Sequence, residues 1–185
     1  STGSRTLYLT LISFIALSTQ ASSSPATTAT AYRLLPVKWN TSTIRYYYDN
    51  WVGTRAIRFF KAGVSTWNGT NIDASISYGG DNYVCFCVTL SPDVDWDGMV
   101  RTFYSGSYVT SQTLYLNESQ TLTWSNDDAL KSVIAHEIGH VFCLDDNGTS
   151  RTIMNGFTFG ENSRYEGYSI TTPQQDDING VNAIY

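Results

Sequence analysis

Histidine and cysteine are scarce in this chain of 185 residues, which has only two histidines and three cysteines. Three cysteines cannot make a disulfide-dense scaffold, and two histidines restrict any histidine-based site to one place. Basic residues are also few, 11 against 16 acidic ones, and the formal net charge is -5. Because such a surface repels phosphate backbones, the composition argues against nucleic-acid binding.

What the chain has in quantity is apolar and aromatic side chains. Hydrophobic residues make up 42% and charged residues 15%, which is enough for a real core and excludes wholesale disorder. The 13 tyrosines, 5 tryptophans and 14 glycines favour many strands and turns with a modest amount of helix. The length supports one folded domain and no more than two.

A short apolar run lies near the start of the chain. Residues 7–17 read LYLTLISFIAL, after one basic residue and before a small-residue stretch that ends at Ala21. This order is typical of a secretory signal, and the run is too short for a membrane span. We expect residues 1–21 to be a signal peptide, 22–36 a Ser/Thr-rich linker or short pro-segment, and 37–185 a secreted, extracellular domain. The alternative is an apolar core element at the N-terminus.

Alternating and three-to-four-residue apolar spacings outline the secondary structure. The predicted strands cover residues 38–49, 72–78, 83–90, 98–104 and 112–117. One helix is predicted over Thr54–Trp67, a second from near Ser125, where Asp128 completes a capping-box pattern, and a third from Thr172–Pro173. Proline is expected in the first helical position of the third helix.

Both histidines fall in one short motif, His136-Glu137-Ile138-Gly139-His140. On a helix, residues i and i+4 lie on one face, so both imidazoles can bind one metal ion. Glu137 sits where it can accept a proton from a water molecule that zinc activates. The alternative is an ordinary amphipathic helix with two hydrogen-bonded histidines, but this gives no structural reason for a buried glutamate between them.

Two ligands do not hold a catalytic zinc, so a third is required. Further along, Asp146 occupies the last position of the pattern HExxHxxGxxH, and residues 151–155 read RTIMN around Met154. With these features the chain resembles the metzincin metallopeptidases, most closely the matrixins. The resemblance implies that His136, His140 and Asp146 bind one catalytic zinc ion and that Met154 forms the Met-turn beneath it.

The resemblance extends over residues 37–185. VKWNTSTIRYYY is similar to the first matrixin strand, and PQQDDINGV at 173–181 is similar to the C-terminal helix. The implied fold is an α+β catalytic domain. It has a twisted, mostly parallel sheet with an antiparallel edge strand, two long helices and a C-terminal helix. The implied activity is that of a zinc endopeptidase with a protein or peptide substrate, and we expect a monomer. The substrate-binding edge is expected at Met99, Val100, Arg101 and Thr102.

The chain also departs from the matrixin pattern. Asp145 competes with Asp146 as the third ligand, because turn geometry can shift by one residue. Cys143 stands where the pattern has a glycine, and a cysteine in that backbone conformation is expected to be strained. Thr102 and Tyr115 stand where matrixins have histidines for a structural zinc, so no second, histidine-bound zinc is expected.

Three other functions would explain parts of the sequence. A gluzincin arrangement would use Glu161 or Glu166 as a distant third ligand, although their surroundings suggest a loop. A catalytically silent binding module on the same fold would accommodate Cys143 and Asp146 but has no use for Glu137 as a base. A carbohydrate-binding β-rich domain would explain the many aromatic residues but not the histidine motif.

Three further patterns leave alternatives open. Asp93, Asp95 and Asp97 resemble the start of a calcium loop, or form a solvated acidic turn. Cys85 and Cys87 share one face of a strand, and either stay free or include one that pairs with Cys143. Four N-x-Ser/Thr sequences are glycosylation acceptors only in a eukaryotic secretory route, and they begin at Asn40, Asn68, Asn117 and Asn147.

Overall fold

The computed structural model describes residues 32–79 and 83–185. The predicted signal peptide and most of the predicted linker lie outside these residues. Among the described residues, no helix is both long enough and apolar enough to cross a membrane.

The described residues form seven strands and four helices. In chain order they are β1 (Arg33–Leu34), β2 (Thr43–Tyr48), α1 (Thr54–Asn68), β3 (Ser75–Tyr78), β4 (Val84–Thr89), β5 (Gly98–Ser105), β6 (Tyr108–Asn117), α2 (Thr121–Trp124), α3 (Asp127–Val141), β7 (Leu144–Asp145) and α4 (Gln175–Asn182). Five strands make one sheet in the order β3-β2-β4-β6-β5. All neighbours are parallel except β5, which runs antiparallel to β6 at the edge. The predicted α+β fold with an antiparallel edge strand is confirmed.

Helices α1 and α3 pack together over the apolar face of this sheet. Their backbones approach closely at Gly63, where a Cβ atom would come within 2.5 Å of the Ile134 side chain. One turn away, the Trp67 indole N–H donates to the carbonyl of Ala135 over 2.8 Å. Phe60 of α1 and Leu114 of β6 are fully buried in the same core. The helix that carries the histidine motif is therefore fixed in rotation and depth.

A second, two-stranded sheet joins the start of the described chain to the segment after α3. Arg33 pairs with Asp145 and Leu34 with Leu144, antiparallel. Arg33 and Leu34 fall within residues 22–36, which the sequence predicted to be a linker or short pro-segment. The folded part therefore reaches back at least to Arg33.

The start of α3 differs from the prediction. The short helix α2 precedes it, and the N-cap of α3 is Asn126, whose side-chain oxygen accepts from the amides of Asp128 and Ala129 at 3.0 and 3.1 Å. The predicted capping box of Ser125 with Asp128 is wrong, because Ser125 closes α2 instead. An asparagine one residue later satisfies two of the free amides of the first turn.

The last helix also begins later than predicted. Pro173 lies before the N-cap, Gln174, and not in the first helical position. The Asp177 carboxylate reaches back to accept from the amide of Gln174 over 2.7 Å. This capping interaction sets the first turn at Gln175, two residues beyond the expected start.

Two of the three cysteines form a disulfide bond, and they lie two residues apart in the chain. Cys85 is bonded to Cys87, while Cys143 is free and fully buried. Both alternatives from the sequence are therefore wrong: Cys85 and Cys87 are not free thiols, and neither is bonded to Cys143. Phe86 of β4 faces the helices, so Cys85 and Cys87 on either side of it face away from them. Cys143 belongs to the core on the helix side, and the sheet separates it from the other two.

Candidate metal centre

Helix α3 presents its three polar motif residues from a largely buried position. His136 and Glu137 are each only 4% exposed, and His140 lies one turn after His136. The Nε2 atoms of the two imidazoles are 3.1 Å apart. The i, i+4 spacing thus places both rings on one face with the same nitrogen directed to one point.

A sharp reversal after α3 returns the chain towards these rings. Its key residue is Cys143, which takes the left-handed backbone conformation with φ +68°. The Cys143 amide donates to the carbonyl of His140 over 2.9 Å, and its carbonyl accepts from the amide of Leu35 over 2.9 Å. The turn expected of a glycine is therefore made by a buried cysteine, in a conformation that is costly for a side chain with a Cβ atom.

This reversal brings Asp146 to the two imidazoles. Its Oδ1 atom lies 3.2 Å from Nε2 of His136 and 3.5 Å from Nε2 of His140. Ligand atoms on a tetrahedral zinc ion, with bonds of about 2.0 Å, are separated by about 3.3 Å. The three atoms therefore have the mutual spacing of three corners of a zinc coordination sphere.

The hydrogen bonds around the imidazoles leave this face free for a metal. Nδ1 of His136 lies 2.9 Å from the carbonyl of Ile153, and Nδ1 of His140 lies 2.8 Å from that of Leu144. A carbonyl only accepts, so each Nδ1 carries a proton in the neutral ring and each Nε2 offers a lone pair. Oδ1 of Asp146 is buried with no hydrogen-bond partner. Two lone pairs and a carboxylate oxygen around one point fit a divalent cation.

Burial and the charges of the neighbouring groups set the pKa values of the three side chains. Burial, with a smaller contribution from Arg164, lowers the pKa of His136 to about 4. Burial also acts to lower the pKa of His140, but the nearby Asp146 carboxylate raises the pKa to about 9. Burial acts to raise the pKa of Asp146, but both histidines together hold it well below its usual range. The carboxylate is therefore ionised and available as a ligand.

The side chain of Glu137 extends from α3 towards the start of strand β5. A Cβ atom on Gly98 would come within 2.7 Å of the Glu137 side chain, so the absence of one makes room for the carboxylate. Oε2 of Glu137 is buried without a hydrogen-bond partner, and burial raises the pKa of this carboxyl to about 7. The side chain is thus close to the histidines and has one oxygen uncommitted.

The predicted Met-turn residue lies beneath the ligand helix. Met154 is buried, and its sulfur packs against Gly139 of α3. The amides of Ile153 and Met154 donate to the Asp177 carboxylate at 2.9 and 3.2 Å. Sequence reasoning missed this role of Asp177. The available signal was an acidic residue in the first turn of the last helix.

Two more buried polar residues near the site carried no sequence signal. Arg164, in the segment between the Met-turn and α4, donates to the carbonyl of Asn155 and to the Thr158 hydroxyl. Gln112 of β6 donates through Nε2 to the hydroxyl of Thr102 over 3.1 Å and to the carbonyl of His140 over 3.2 Å. Gln112 therefore links strand β5 directly to the ligand helix.

The residues proposed to bind substrate, Met99–Thr102, lie in β5 at the edge of the sheet. The Asn117 amide donates to the carbonyl of Asp97 over 2.9 Å. Antiparallel bonds fall on alternate residues, so β6 pairs with the amides of Met99 and Arg101. The amides of Val100 and Thr102 then face away from β6. Their use by a substrate remains a prediction.

The other ligand candidates are not gathered at a metal site. Oδ1 of Asp145 accepts from the Asp146 amide, and Oδ2 lies 3.9 Å from Arg33. Within the described ranges, only His136, His140 and Asp146 bring three metal-binding side chains together. That cluster includes neither the calcium candidates Asp93, Asp95 and Asp97 nor the gluzincin candidates Glu161 and Glu166. The structure therefore supports neither alternative site.

Comparison with known proteins agrees with this geometry. The model of the matrixin family, Peptidase M10, matches residues 28–185. A protein of Spodoptera frugiperda ascovirus 1a named "Putative matrix metalloproteinase" is 24% identical over 168 residues, which cover 80% of this chain and 42% of that protein. The chain therefore spans less than half the length of this relative.

A solved structure shares the fold. A chain in the GM1-bound form of the ECX AB5 holotoxin superposes with a TM-score of 0.54 at 15% identity, covering 84% of this chain and 88% of that one. At this identity the likeness concerns the fold alone. The family match spans all the described residues and includes both the histidine helix and the segment around Met154. The chain belongs to the matrixin family of metzincin metallopeptidases.

Proposed function

We propose that this protein is a zinc-dependent endopeptidase that hydrolyses peptide bonds with Glu137 as the general base. The observation that carries the proposal is the convergence of His136 Nε2, His140 Nε2 and Asp146 Oδ1 within 3.5 Å of one another. Beside them, the Glu137 carboxylate has one oxygen without a partner. Three ligands with a carboxylate next to an open position are the set required for a hydrolytic zinc site.

Each of these side chains has a separate task. A bound zinc ion would supply Lewis acidity towards the scissile carbonyl and the attacking water. Glu137 would accept the proton of that water and then pass it to the leaving amine. Ile153 and Leu144 hold the two imidazoles through their Nδ1 atoms, so that both Nε2 atoms stay directed at the same point.

The test is zinc content and peptide hydrolysis of the purified protein and of Glu137→Gln. The amide keeps the shape of the carboxylate but cannot act as the base, so we expect zinc to stay bound. The rate should fall by roughly a hundred- to ten-thousandfold. Glu161→Gln, an exposed glutamate, is the control and should hydrolyse normally. Undiminished hydrolysis by zinc-loaded Glu137→Gln would refute the general-base role. A zinc-loaded wild type without any activity would favour the silent binding module.

The proposal includes the cellular setting. The apolar run and the small residues up to Ala21 support export of the chain and removal of residues 1–21. The N-terminal sequence of the product recovered from the medium of a secreting host tests this, and a product that retains residues 1–21 would contradict it. We further propose a monomer that does not bind nucleic acid, consistent with the net charge of -5. Size-exclusion chromatography with light scattering checks the monomer.

A further inference from the structure

Arg164 is a buried arginine without an ionic partner. Arg164 is only 2% exposed. In the described part of the chain, no carboxylate lies within ion-pair distance of its guanidinium. Taking a guanidinium out of water without a paired charge is expensive. A residue held at such cost in a loop is expected to have a task that an apolar side chain of similar size could not perform.

The guanidinium donates two hydrogen bonds to the segment that follows Met154. Nη1 donates to the carbonyl of Asn155 over 2.8 Å, and Nη2 donates to the hydroxyl of Thr158 over 2.7 Å. The next amide, that of Gly156, donates to the carbonyl of Gly148 over 3.1 Å. The peptide unit between Asn155 and Gly156 is therefore fixed at its oxygen by Arg164 and at its nitrogen by Gly148.

The side of Gly156 that lacks a Cβ atom faces Asp146, the proposed third ligand. A Cβ atom on Gly156 would be 3.4 Å from Cγ of Asp146 and 3.6 Å from each of its carboxylate oxygens. Oδ1 of Asp146 has no hydrogen bond of its own to hold it in place. Asn147, the next residue, is tied to the same segment by its amide, which donates to the carbonyl of Met154 over 2.7 Å. The fixed Asn155–Gly156 peptide and the hydrogen bond of Asn147 therefore limit the space that the Asp146 carboxylate can occupy.

We propose that Arg164 is a positioning residue for the metal centre: its planar guanidinium fixes the Asn155–Gly156 peptide beside Asp146 and so limits where the third ligand can move. The inference rests on the proposed zinc site. Its electrostatics agree, because the charges of Glu137, Asp97 and Asp146 partly offset the lowering of the pKa of Arg164 by burial. An arginine suits the task because its donors form a rigid fork, whereas lysine offers a single point charge.

The experiment compares Arg164→Met, Arg164→Lys and Arg151→Met with the wild type. Arg151 is an exposed arginine three residues before Met154, so its variant makes the same chemical change at the surface. The zinc dissociation constant is measured by competition with a chelating dye, and the visible absorption of the Co²⁺-substituted protein reports the ligand geometry. Outer residues that orient metal ligands typically contribute 10- to 100-fold to metal affinity.

We expect Arg164→Met to bind zinc at least about tenfold more weakly, with a changed Co²⁺ spectrum. Arg151→Met should match the wild type in both measurements. If Arg164→Met binds zinc like the wild type with an unchanged spectrum, the inference is overturned. If Arg164→Met does not fold, Arg164→Lys decides, because it keeps the charge and loses the fork. Weaker zinc binding by the lysine variant then supports the inference, and wild-type binding overturns it.

The result separates this inference from the proposed function. A wild-type protein that binds no zinc would contradict the proposed function, and the inference with it. A wild type that binds zinc and hydrolyses peptide, together with Arg164 variants that do the same with equal affinity, would overturn the role of Arg164 alone.

Discussion

The sulfur of Met154 rests on the Cα atom of Gly139, in the turn of α3 between the two histidines. A Cβ atom on Gly139 would overlap this sulfur and come within 3.2 Å of the Trp67 ring. Gly139→Ala must therefore displace Met154 or the helix. We expect the free energy of unfolding, measured by urea denaturation, to fall by about 1–3 kcal/mol, because overpacking a core typically destabilises a protein by this amount.

Zinc affinity should fall in the same variant, since either displacement disturbs the contact between Met154 and the helix that carries both histidines. Gly53→Ala is the control for zinc binding, because nothing lies within 4 Å of a Cβ atom there. Normal stability and zinc affinity in Gly139→Ala would mean that the contact between Met154 and the helix does not support the site.

The two adjacent aspartates should differ sharply in their effect on metal binding. Asp146→Ala removes the atom that faces both imidazoles, so zinc occupancy after dialysis should fall to a small fraction of the wild-type value. Asp145→Ala removes an acceptor for the Asp146 amide and a long ion pair with Arg33, the latter worth at most about 1 kcal/mol. It removes no atom that faces the two imidazoles, so zinc should stay bound. Elemental analysis of the dialysed proteins measures this. The opposite ranking would assign the third ligand to Asp145.

Asp177 should be far more important for stability than its neighbour. Asp177→Ala leaves the buried amides of Ile153 and Met154 without acceptors, and each such loss costs about 1–3 kcal/mol. We expect the free energy of unfolding to fall by about 3 kcal/mol in urea denaturation. Asp176→Ala, with the same chemical change one residue earlier, should stay within about 0.5 kcal/mol. Equal effects of the two variants would show that the Met-turn does not depend on this carboxylate.

The outer edge of β5 can be tested with proline. Val100→Pro and Thr102→Pro each remove an amide that faces away from β6, so the pairing within the sheet loses no donor. If peptide substrates bind by adding a strand to this edge, at least one variant should raise KM or lower kcat/KM while zinc stays bound. Steady-state kinetics with a peptide series measures this. Unchanged kinetics in both variants would exclude this edge as the substrate site.

The sequence was most informative where a pattern has a single physical meaning. The i, i+4 histidines predicted a helix with two imidazoles on one face, and the structure has them with Nε2 atoms 3.1 Å apart. Alternating apolar residues located the strands of the main sheet. The match to Asp146 required knowledge of the family pattern, because no local rule says that the chain reverses at Cys143.

The sequence was least informative where a single side-chain contact decides the outcome. Asn126 and Ser125 are both good capping residues, and only the packing of α2 decides between them. The pairing of β1 with β7 involves two residues on each side, too few for any periodicity. Arg164 lies in an irregular segment, where a buried arginine looks the same in sequence as an exposed one.

The bridge between Cys85 and Cys87 has a consequence for how the domain folds. It closes a ring of three residues, and loop-closure entropy then gives only about 1.6 kcal/mol, against about 3 for a ring of fifteen. Chain entropy therefore contributes little through this bond, and the stability of the domain has to come from its core. Because the two thiols are neighbours in any conformation, they encounter each other far more often than either meets Cys143. In the unfolded chain we therefore expect oxidation to favour the pairing of Cys85 with Cys87 over a bridge to Cys143.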